Sequence, residues 1–234
     1  MKSNQSVISI RNLVKTFPMG NREFTALNGI NLEFASGEFS GFVGPSGSGK
    51  TTLLNIIGTL DSPTEGEAMV LDHSVKLLTQ KKAALLRSQK IGFIFQTFNL
   101  LPVYSAAENV EFPLLLQKMG GEARRKAVME ALEWVGLSDK AKSRPAQMSG
   151  GECQRVAIAR AMVKKPEIVL ADEPTANLDA ENSHNILKTM VKLNQELGTT
   201  FLFATHDEKV IGYLRRIIRL YDGKVAFDEL VTKI

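Results

Sequence analysis

The chain has 234 residues, 44% hydrophobic and 23% charged, an ordinary globular composition with enough length to bury a core. No apolar run approaches the roughly eighteen residues of a membrane span, and Met1-Lys2-Ser3-Asn4-Gln5-Ser6 lacks the apolar core of a secretory signal, so a cytoplasmic protein is expected. The net charge of +4 comes from basic residues spread along the chain, which gives no footprint for nucleic acid, and the single cysteine, Cys153, excludes an intrachain disulfide and any cysteine-cluster metal site.

The opening third reads as a β-rich layer. Val7-Ile8-Ser9-Ile10 and Ile30-Asn31-Leu32-Glu33-Phe34 have strand-like apolar spacing, with a turn signal at Ser36-Gly37. A strand over 39–43 leads into a glycine-rich loop, and 51–57 reads as a helix. A second apolar strand over 91–95 ends at Gln96. From 97 to 165 the character turns helical, with amphipathic spacing over 122–135 and strong helix formers over 154–163. Cys153 falls in this helical stretch as a small packed filler. The α/β pattern resumes with a strand at 168–170, a helix over 180–197 and a strand over 200–204. A strand pair within 216–227, turned at Asp222-Gly223, is expected to close the sheet. The expected organisation is one domain over 1–234. Within it, 1–96 and 166–234 form a catalytic core carrying the β layer, and 97–165 is a helical insertion.

The glycine-rich loop is Gly44-Pro45-Ser46-Gly47-Ser48-Gly49-Lys50-Thr51. A triphosphate needs its charge held without an unmatched buried cation. Glycines let backbone N–H groups curl around its oxygens, and the following helix aims its positive dipole end at them. Lys50 supplies a point charge for the β- and γ-phosphates, the Thr51 hydroxyl is placed to ligate Mg²⁺, and Thr52 reaches the α-phosphate. Mg²⁺ also needs a carboxylate, and Ile168-Val169-Leu170-Ala171-Asp172-Glu173 delivers two at a strand end. Asp172 is the Mg²⁺-associated acid and Glu173 the base that orients the attacking water. His206 follows the strand at 200–204 and is a candidate for the γ-phosphate. Gln96, also at a strand end, is a candidate to touch Mg²⁺ or the water. His73 and His184 have no such context and read as ordinary surface or packing residues. No Asn-Lys-x-Asp guanine-reading motif occurs, which argues against a GTPase. Phe17 is the best candidate for a ring stacked on the base, with core packing as its other reading.

A second phosphate signal lies about a hundred residues on. Ser149-Gly150-Gly151 heads a helix-forming run, and Ser149 with Glu152 has the spacing of a capping box. Both roles are compatible, because a capped helix end is still an anion site. Met148-Ser149-Gly150-Gly151-Glu152, followed by Gln154-Arg155-Val156-Ala157-Ile158-Ala159-Arg160-Ala161, resembles the signature of the ABC (ATP-binding cassette) ATPases. The resemblance covers essentially the whole chain, in order: an aromatic A-loop at Phe17, Walker A at 44–51, a Q-loop at Gln96 and the signature at 148–152. Walker B at 168–172, a D-loop at Asn177-Leu178-Asp179 and an H-loop at His206 complete it. Asn55-Ile56-Ile57-Gly58-Thr59-Leu60-Asp61 and Phe95-Gln96-Thr97-Phe98-Asn99-Leu100-Leu101-Pro102 are similar to the lipoprotein-release and macrolide-export branch. Four positions depart from the common pattern: Phe17 stands where tyrosine is usual, Met148 and Glu152 replace leucine and glutamine, and Ala176 replaces a usual small residue with little effect.

What the resemblance implies is an α/β P-loop NTPase fold, with a RecA-like core, an N-terminal antiparallel β subdomain and an inserted α-helical subdomain. It implies a Mg²⁺-dependent ATPase in which two copies pair head to tail. Each nucleotide then lies between one chain's Walker A and the other chain's Ser149, Gly150 and Gly151. It also implies a separate membrane permease, docked near 96–113 where Phe98, Leu100, Leu101 and Tyr104 cluster, and hence a peripheral position on the cytoplasmic face of the inner membrane. A cell-division ATPase of the same cassette family, signalling to a periplasmic hydrolase, fits the same motifs. With Ile234 the last residue, the C-terminal regulatory domain of sugar importers is not expected.

Overall fold

Strands β1 (Ser6–Met19) and β2 (Arg22–Ala35) pair antiparallel, burying Ile8, Ile10 and Leu13 from one and Leu27, Ile30, Leu32 and Phe34 from the other. The computed structural model describes residues 6–20 and 22–231. Strands β3 (Phe39–Val43), β4 (Glu65–Val70) and β5 (His73–Ser74) follow, and the first sheet runs in the order β2-β1-β4-β5. Register shifts along β1 mark bulges; one of them, between the pairs Lys15–Leu27 and Thr16–Thr25, leaves Ala26 unpaired. Beyond it the hairpin is regular, and Phe17 faces Phe24 across the ladder.

The second sheet adds β6 (Ile91–Ile94), β7 (Ile168–Asp172), β8 (Thr200–Thr205), β9 (Arg216–Tyr221) and β10 (Lys224–Leu230). Its order is β10-β9-β3-β8-β7-β6, parallel throughout except for the last hairpin, β9–β10. β3 and β8 are buried at every position, as expected of parallel strands covered on both faces. Their side chains alternate between two cores. Phe201 and Phe203 join Phe39, Val169 and Ala171 on the helical side, while Leu202 and Ala204 join Phe42, Ile168 and Leu170 against the antiparallel sheet.

Helix α1 (Lys50–Ile57) packs on that second core, and α2 (Gln80–Lys90) leads into β6. Between β6 and β7 come α3 (Ala106–Leu116), α4 (Gly121–Trp134) and α5 (Gly150–Met162), with no strand among the described residues. Helix α6 (Ala180–Leu197) and the single turn α7 (Glu208–Ile211) complete the α-helices of the described residues. Helix α5 begins at Gly150 with Ser149 as its cap, as the capping-box spacing of Ser149 and Glu152 predicts, four residues ahead of the strong helix formers over 154–163. Helix α2 was not anticipated: its run Gln80-Lys81-Lys82-Ala83-Ala84-Leu85-Leu86-Arg87 buries only Ala83 and Leu86, too little to show a periodic apolar face. Helix α3 carries Pro113 and was likewise read only as part of a helical region.

The hinge of this packing is an aromatic group under β3, where the Phe39 ring lies 4.8 Å from Phe203 and 5.5 Å from Phe201. Replacing fully buried Phe203 with alanine is expected to cost about 3–5 kcal/mol of folding stability, read by urea unfolding monitored by circular dichroism.

Candidate nucleotide site

β3 ends at Val43 and the chain turns through Gly44–Gly49 into α1 without a side-chain cap or an acid in the first turn. The N–H groups at this helix end are therefore open to an anion. Gly49 is required twice over. Its φ of 100° lies in the left-handed region, and a Cβ there would stand 2.7 Å from the Ala26 carbonyl oxygen. A Cβ on Gly44 would stand 2.2 Å from the Leu220 carbonyl oxygen. The loop is thus pressed between the β1–β2 hairpin and the β9–β10 hairpin, whose Gly223 donates to the Ser48 carbonyl.

A cavity of about 470 Å³ opens over this helix end, within the range of nucleotide-sized sites. Ser46, Gly47, Gly49, Lys50, Thr51 and Thr52 form one wall; Gln96, Asp172, Glu173, Ala176 and His206 form the other. Gly44, Pro45 and Ser48 do not line the cavity. The Lys50 ammonium donates to the Gly44 and Pro45 carbonyls at 2.7 and 2.9 Å. Burial pushes the Lys50 pKa down, against the opposing pull of Glu173 and Asp172.

Strand β7 sets the acids. The Thr51 hydroxyl donates to Asp172 at 3.0 Å, joining the loop to the strand end. Burial raises the Asp172 carboxyl above the usual range, and the Thr51 hydrogen bond works the other way. Glu173 leaves the strand with a φ of 45°, a left-handed conformation that costs a non-glycine residue about 1–2 kcal/mol. It is held there by three bonds: its N–H donates to the Ala204 carbonyl, and its carboxylate accepts from the Thr205 hydroxyl at 2.9 Å and meets His206 Nδ1 at 2.6 Å. Glu173 is enclosed, while His206 is 65% exposed at the mouth. Gln96 sits two residues beyond the end of β6, and its backbone carbonyl accepts from the Asn177 side chain at 2.9 Å.

The β2 side of the cavity is walled by Phe24 and Ala26. Phe17, the ring expected to stack on the base, lies outside these walls. It is 37% exposed, with the Lys15 ammonium 4.8 Å from its ring centroid. Phe24 was missed because nothing in its local spacing separates it from other strand aromatics; its only sequence signal is its position opposite Phe17 across a short hairpin.

Ser149, Gly150 and Gly151 are likewise absent from the cavity. Ser149 caps α5 through a reciprocal pair: its Oγ accepts the Glu152 N–H, and Glu152 accepts the Ser149 N–H at 2.8 Å. That bond, with Lys140 nearby, holds the Glu152 carboxyl below the usual range. Ser149 and Gly150 are exposed, whereas Gly151 is buried against α6, where a Cβ would stand 2.4 Å from the Asn182 side chain. Asn182 is fixed by Asp179, the N-cap of α6. The signature end and the D-loop segment therefore form one packed unit. The remaining histidines are remote from the cavity: His184 contacts Tyr213, and His73 bonds the Leu71 carbonyl.

A second, apolar groove runs beside the 96–113 segment. Its walls are Leu60, Phe93, Phe95, Phe112, Pro113 and Leu116, with Arg87, Arg160 and Lys164 among them. Phe98, Leu100, Leu101 and Tyr104 do not line it. The Phe98 ring lies instead near the head of α5, with its Cζ 3.9 Å from where a Cβ on Gly150 would stand, and Leu100 packs into the helical core. Lys164 donates to the Arg87 and Ile91 carbonyls, and burial pushes its pKa down to about 8.

Residues 27–176 match the family of ABC transporters. The chain is 46% identical over 95% of its length to MJ0796, an uncharacterised ABC transporter ATP-binding protein of Methanocaldococcus jannaschii, covering 97% of that protein. It is 44% identical to the lipoprotein-releasing system ATP-binding protein LolD of Pseudoalteromonas translucida, covering 97% of each chain. Against the macrolide export ATP-binding/permease protein MacB of Burkholderia thailandensis it is 41% identical over 97% of this chain, and spans 34% of that longer protein. A solved structure of MJ0796, described as a dimeric post-hydrolysis state bound to ADP and Pi, superposes with a TM-score of 0.89 at 44% identity, covering 97% of this chain and 100% of that one.

Ser149→Ala removes the side-chain acceptor at the head of α5. The expected loss of stability is about 1 kcal/mol, measured by urea unfolding, with the secondary structure of the folded state retained.

Proposed function

This chain belongs to the ABC transporter family, and we propose that two copies close around two ATP molecules to drive a separate membrane partner. The observation that carries this is the placement of the two anion-binding helix ends. α1 opens onto the cavity, while the exposed Ser149 and Gly150 head α5 outside its walls. One chain therefore offers a donor surface that its own site does not use, and a second copy related by a two-fold axis offers the complement. The dimeric state of MJ0796 supports the same reading.

In this reading the backbone of 44–49 cradles the phosphates, Lys50 meets the β- and γ-phosphates, and Thr52 meets the α-phosphate. Thr51, Asp172 and Gln96 would hold Mg²⁺. The donor set fits: a hydroxyl and a carboxylate already within hydrogen-bond reach offer the hard oxygens this ion prefers beside phosphates and water. Bound there, Mg²⁺ would neutralise charge on the β- and γ-phosphate oxygens. Glu173 accepts a proton from, and orients, the attacking water. His206, bonded to Glu173, holds that carboxylate at the mouth and reaches the γ-phosphate. The partner's Ser149, Gly150 and Gly151 close the far side, and Ser149 keeps its hydroxyl proton for the phosphate because its oxygen already serves as acceptor within the cap.

The apolar groove takes the membrane partner. Arg87, Arg160 and Lys164 line it with no carboxylate bonded to any of them among the described residues, so the docking segment is apolar with an acidic residue among its contacts. No helix of the described residues is long and apolar enough to cross a membrane. In this reading the partner supplies the membrane span, and this subunit lies peripherally on the cytoplasmic face of the inner membrane. The LolD and MacB relatives support lipoprotein release or macrolide export as the process driven.

Lys50→Ala is expected to reduce ATP hydrolysis to background in a phosphate-release assay; retention of most of the rate would overturn the phosphate-site assignment. Glu173→Gln should trap the closed pair. With Mg·ATP it is expected to elute as a dimer on a sizing column and without ATP as a monomer, whereas an unchanged monomer peak would sink the two-copy mechanism.

A further inference from the structure

We propose that Gln154, on α5, is a positioning residue for Glu173. It holds the peptide that follows the base, so that the base is aimed by the same helix whose head meets the partner's phosphates. The inference rests on the reading of Glu173 as the base and of Ser149 as a phosphate donor to the second copy.

Gln154 is fully buried, and its Nε2 donates to the Pro174 carbonyl at 2.6 Å. A carbonyl only accepts, so the amide has to turn its nitrogen toward Pro174. Its Oε1 is then left buried without a hydrogen-bond partner among the described residues. An unpaired buried acceptor destabilises a fold, and a methionine would fill the same space without one. What the amide adds over an apolar side chain is the bond to Pro174.

That bond acts on a stiff joint. The proline ring fixes φ at Pro174, and the peptide joining it to Glu173 is planar. Only ψ of Glu173 and ψ of Pro174 can turn between the Glu173 Cα and the held carbonyl. The Ala176 N–H, donating to the Glu173 carbonyl at 3.2 Å, closes the turn. From the β8 side the segment is anchored by Ala204, Thr205 and His206 at Glu173, and by Asp207, which accepts from the Thr175 hydroxyl at 3.1 Å. Gln154 anchors it from the helical side. The left-handed backbone of Glu173 persists only where its surroundings over-determine it, so a loosened anchor re-aims the carboxylate.

Helix α5 makes this anchor responsive to the other nucleotide. Gln154 lies five residues from Ser149, about 7.5 Å of helix rise. Gly151, three residues before Gln154 and on the same face, packs against Asn182 in the first turn of α6. A shift of the exposed helix head toward the partner's phosphates therefore carries Gln154 with it and draws on the Pro174 carbonyl. A neutral amide passes on that movement without adding a charge beside Asp172 and Glu173.

The test is steady-state ATP hydrolysis by the parent, Gln154→Met and Gln154→Glu, with kcat and KM read separately. Gln154→Met is expected to lower kcat by roughly ten- to hundredfold, the loss that a small misplacement of a reacting group brings, with KM unchanged. Gln154→Glu can donate to Pro174 only through a protonated carboxyl, which burial favours. Its kcat relative to the parent's should therefore rise as the medium is acidified from about pH 8 to about pH 6. In the Glu173→Gln background, Gln154→Met should leave the ATP-dependent dimer peak in place, because Ser149 and Gly150 are untouched. A parent-like kcat in Gln154→Met, a loss in KM alone, or loss of the dimer peak would each overturn the assignment. If Gln154→Met does not fold, the Gln154→Glu profile decides, and a ratio flat with pH overturns it. Full hydrolysis by Glu173→Gln alone would instead sink the reading of Glu173 as the base, and this inference with it.

Discussion

Everything at the site depends on three parallel strands lying side by side in register. β3 ends in the phosphate loop, β8 in Thr205 and His206, and β7 in Asp172 and Glu173, and the ladder pairs Val43 with Thr205 and Asp172 with Ala204. Strands buried on both faces cannot slide, since a one-residue slip would exchange the two cores and move Phe201 and Phe203 from the helical side to the β side. Packing on both faces therefore fixes the relative height of loop, acids and histidine to within a fraction of a residue. No long-range side-chain contact is needed to align them. The Thr51–Asp172 bond is the consequence of this alignment.

The electrostatic arrangement follows from the same confinement. Two carboxylates and one ammonium share the cavity, and burial disfavours the charged form of both Lys50 and Asp172. Each is compensated locally, by backbone carbonyls for Lys50 and by the Thr51 hydroxyl for Asp172. In the proposed reading a triphosphate entering this space would add to the anionic partners of Lys50, which are so far only the nearby Glu173 and Asp172. Glu173 illustrates how strain is retained: its left-handed backbone is stabilised by an N–H bond into β8 and by two side chains from the same strand end. The neighbouring strand thereby sets both the conformation of the acid and the direction its carboxylate faces.

Most of this is legible in the sequence, because the elements that carry the chemistry are those with strong local rules. A glycine-rich loop between an apolar strand and a helix, or an apolar strand ending in two acids, has few alternative structures. The residues that were not legible depend on tertiary placement. Phe24 becomes a cavity wall only because a bulge at Ala26 brings β2 onto Gly49. The apolar groove is walled by Phe95, Phe112 and Leu116 rather than by the Phe98–Tyr104 cluster. Arg160 holds the carbonyls of Phe98 and Asn99 and so ties the segment to α5. Helix α2, polar nearly all round, gave no periodic signal; its place comes from burying Ala83 and Leu86 and from Arg87 donating to the Thr59 carbonyl.

Glu152 shows why a motif position has to be judged by what its side chain is already doing. An acid beside a helix end that faces a triphosphate would repel it if the carboxylate pointed outward. Here one oxygen accepts the Ser149 N–H and the other lies 3.8 Å from Lys140. The charge is thus turned back over the N-terminal turn, where the helix dipole stabilises an anion by about 0.3–1 kcal/mol. Glutamine could make the same bond to Ser149, so the cap geometry does not distinguish the two residues. What differs is the residual charge near the surface that, in the proposed pair, meets the other chain's phosphates. At physiological salt a partly exposed charge is screened over about 8 Å, and Lys140 offsets part of what remains. In the proposed pair the serine hydroxyl and the glycine N–H groups therefore bind phosphate, while Glu152 orders the end of the helix that presents them.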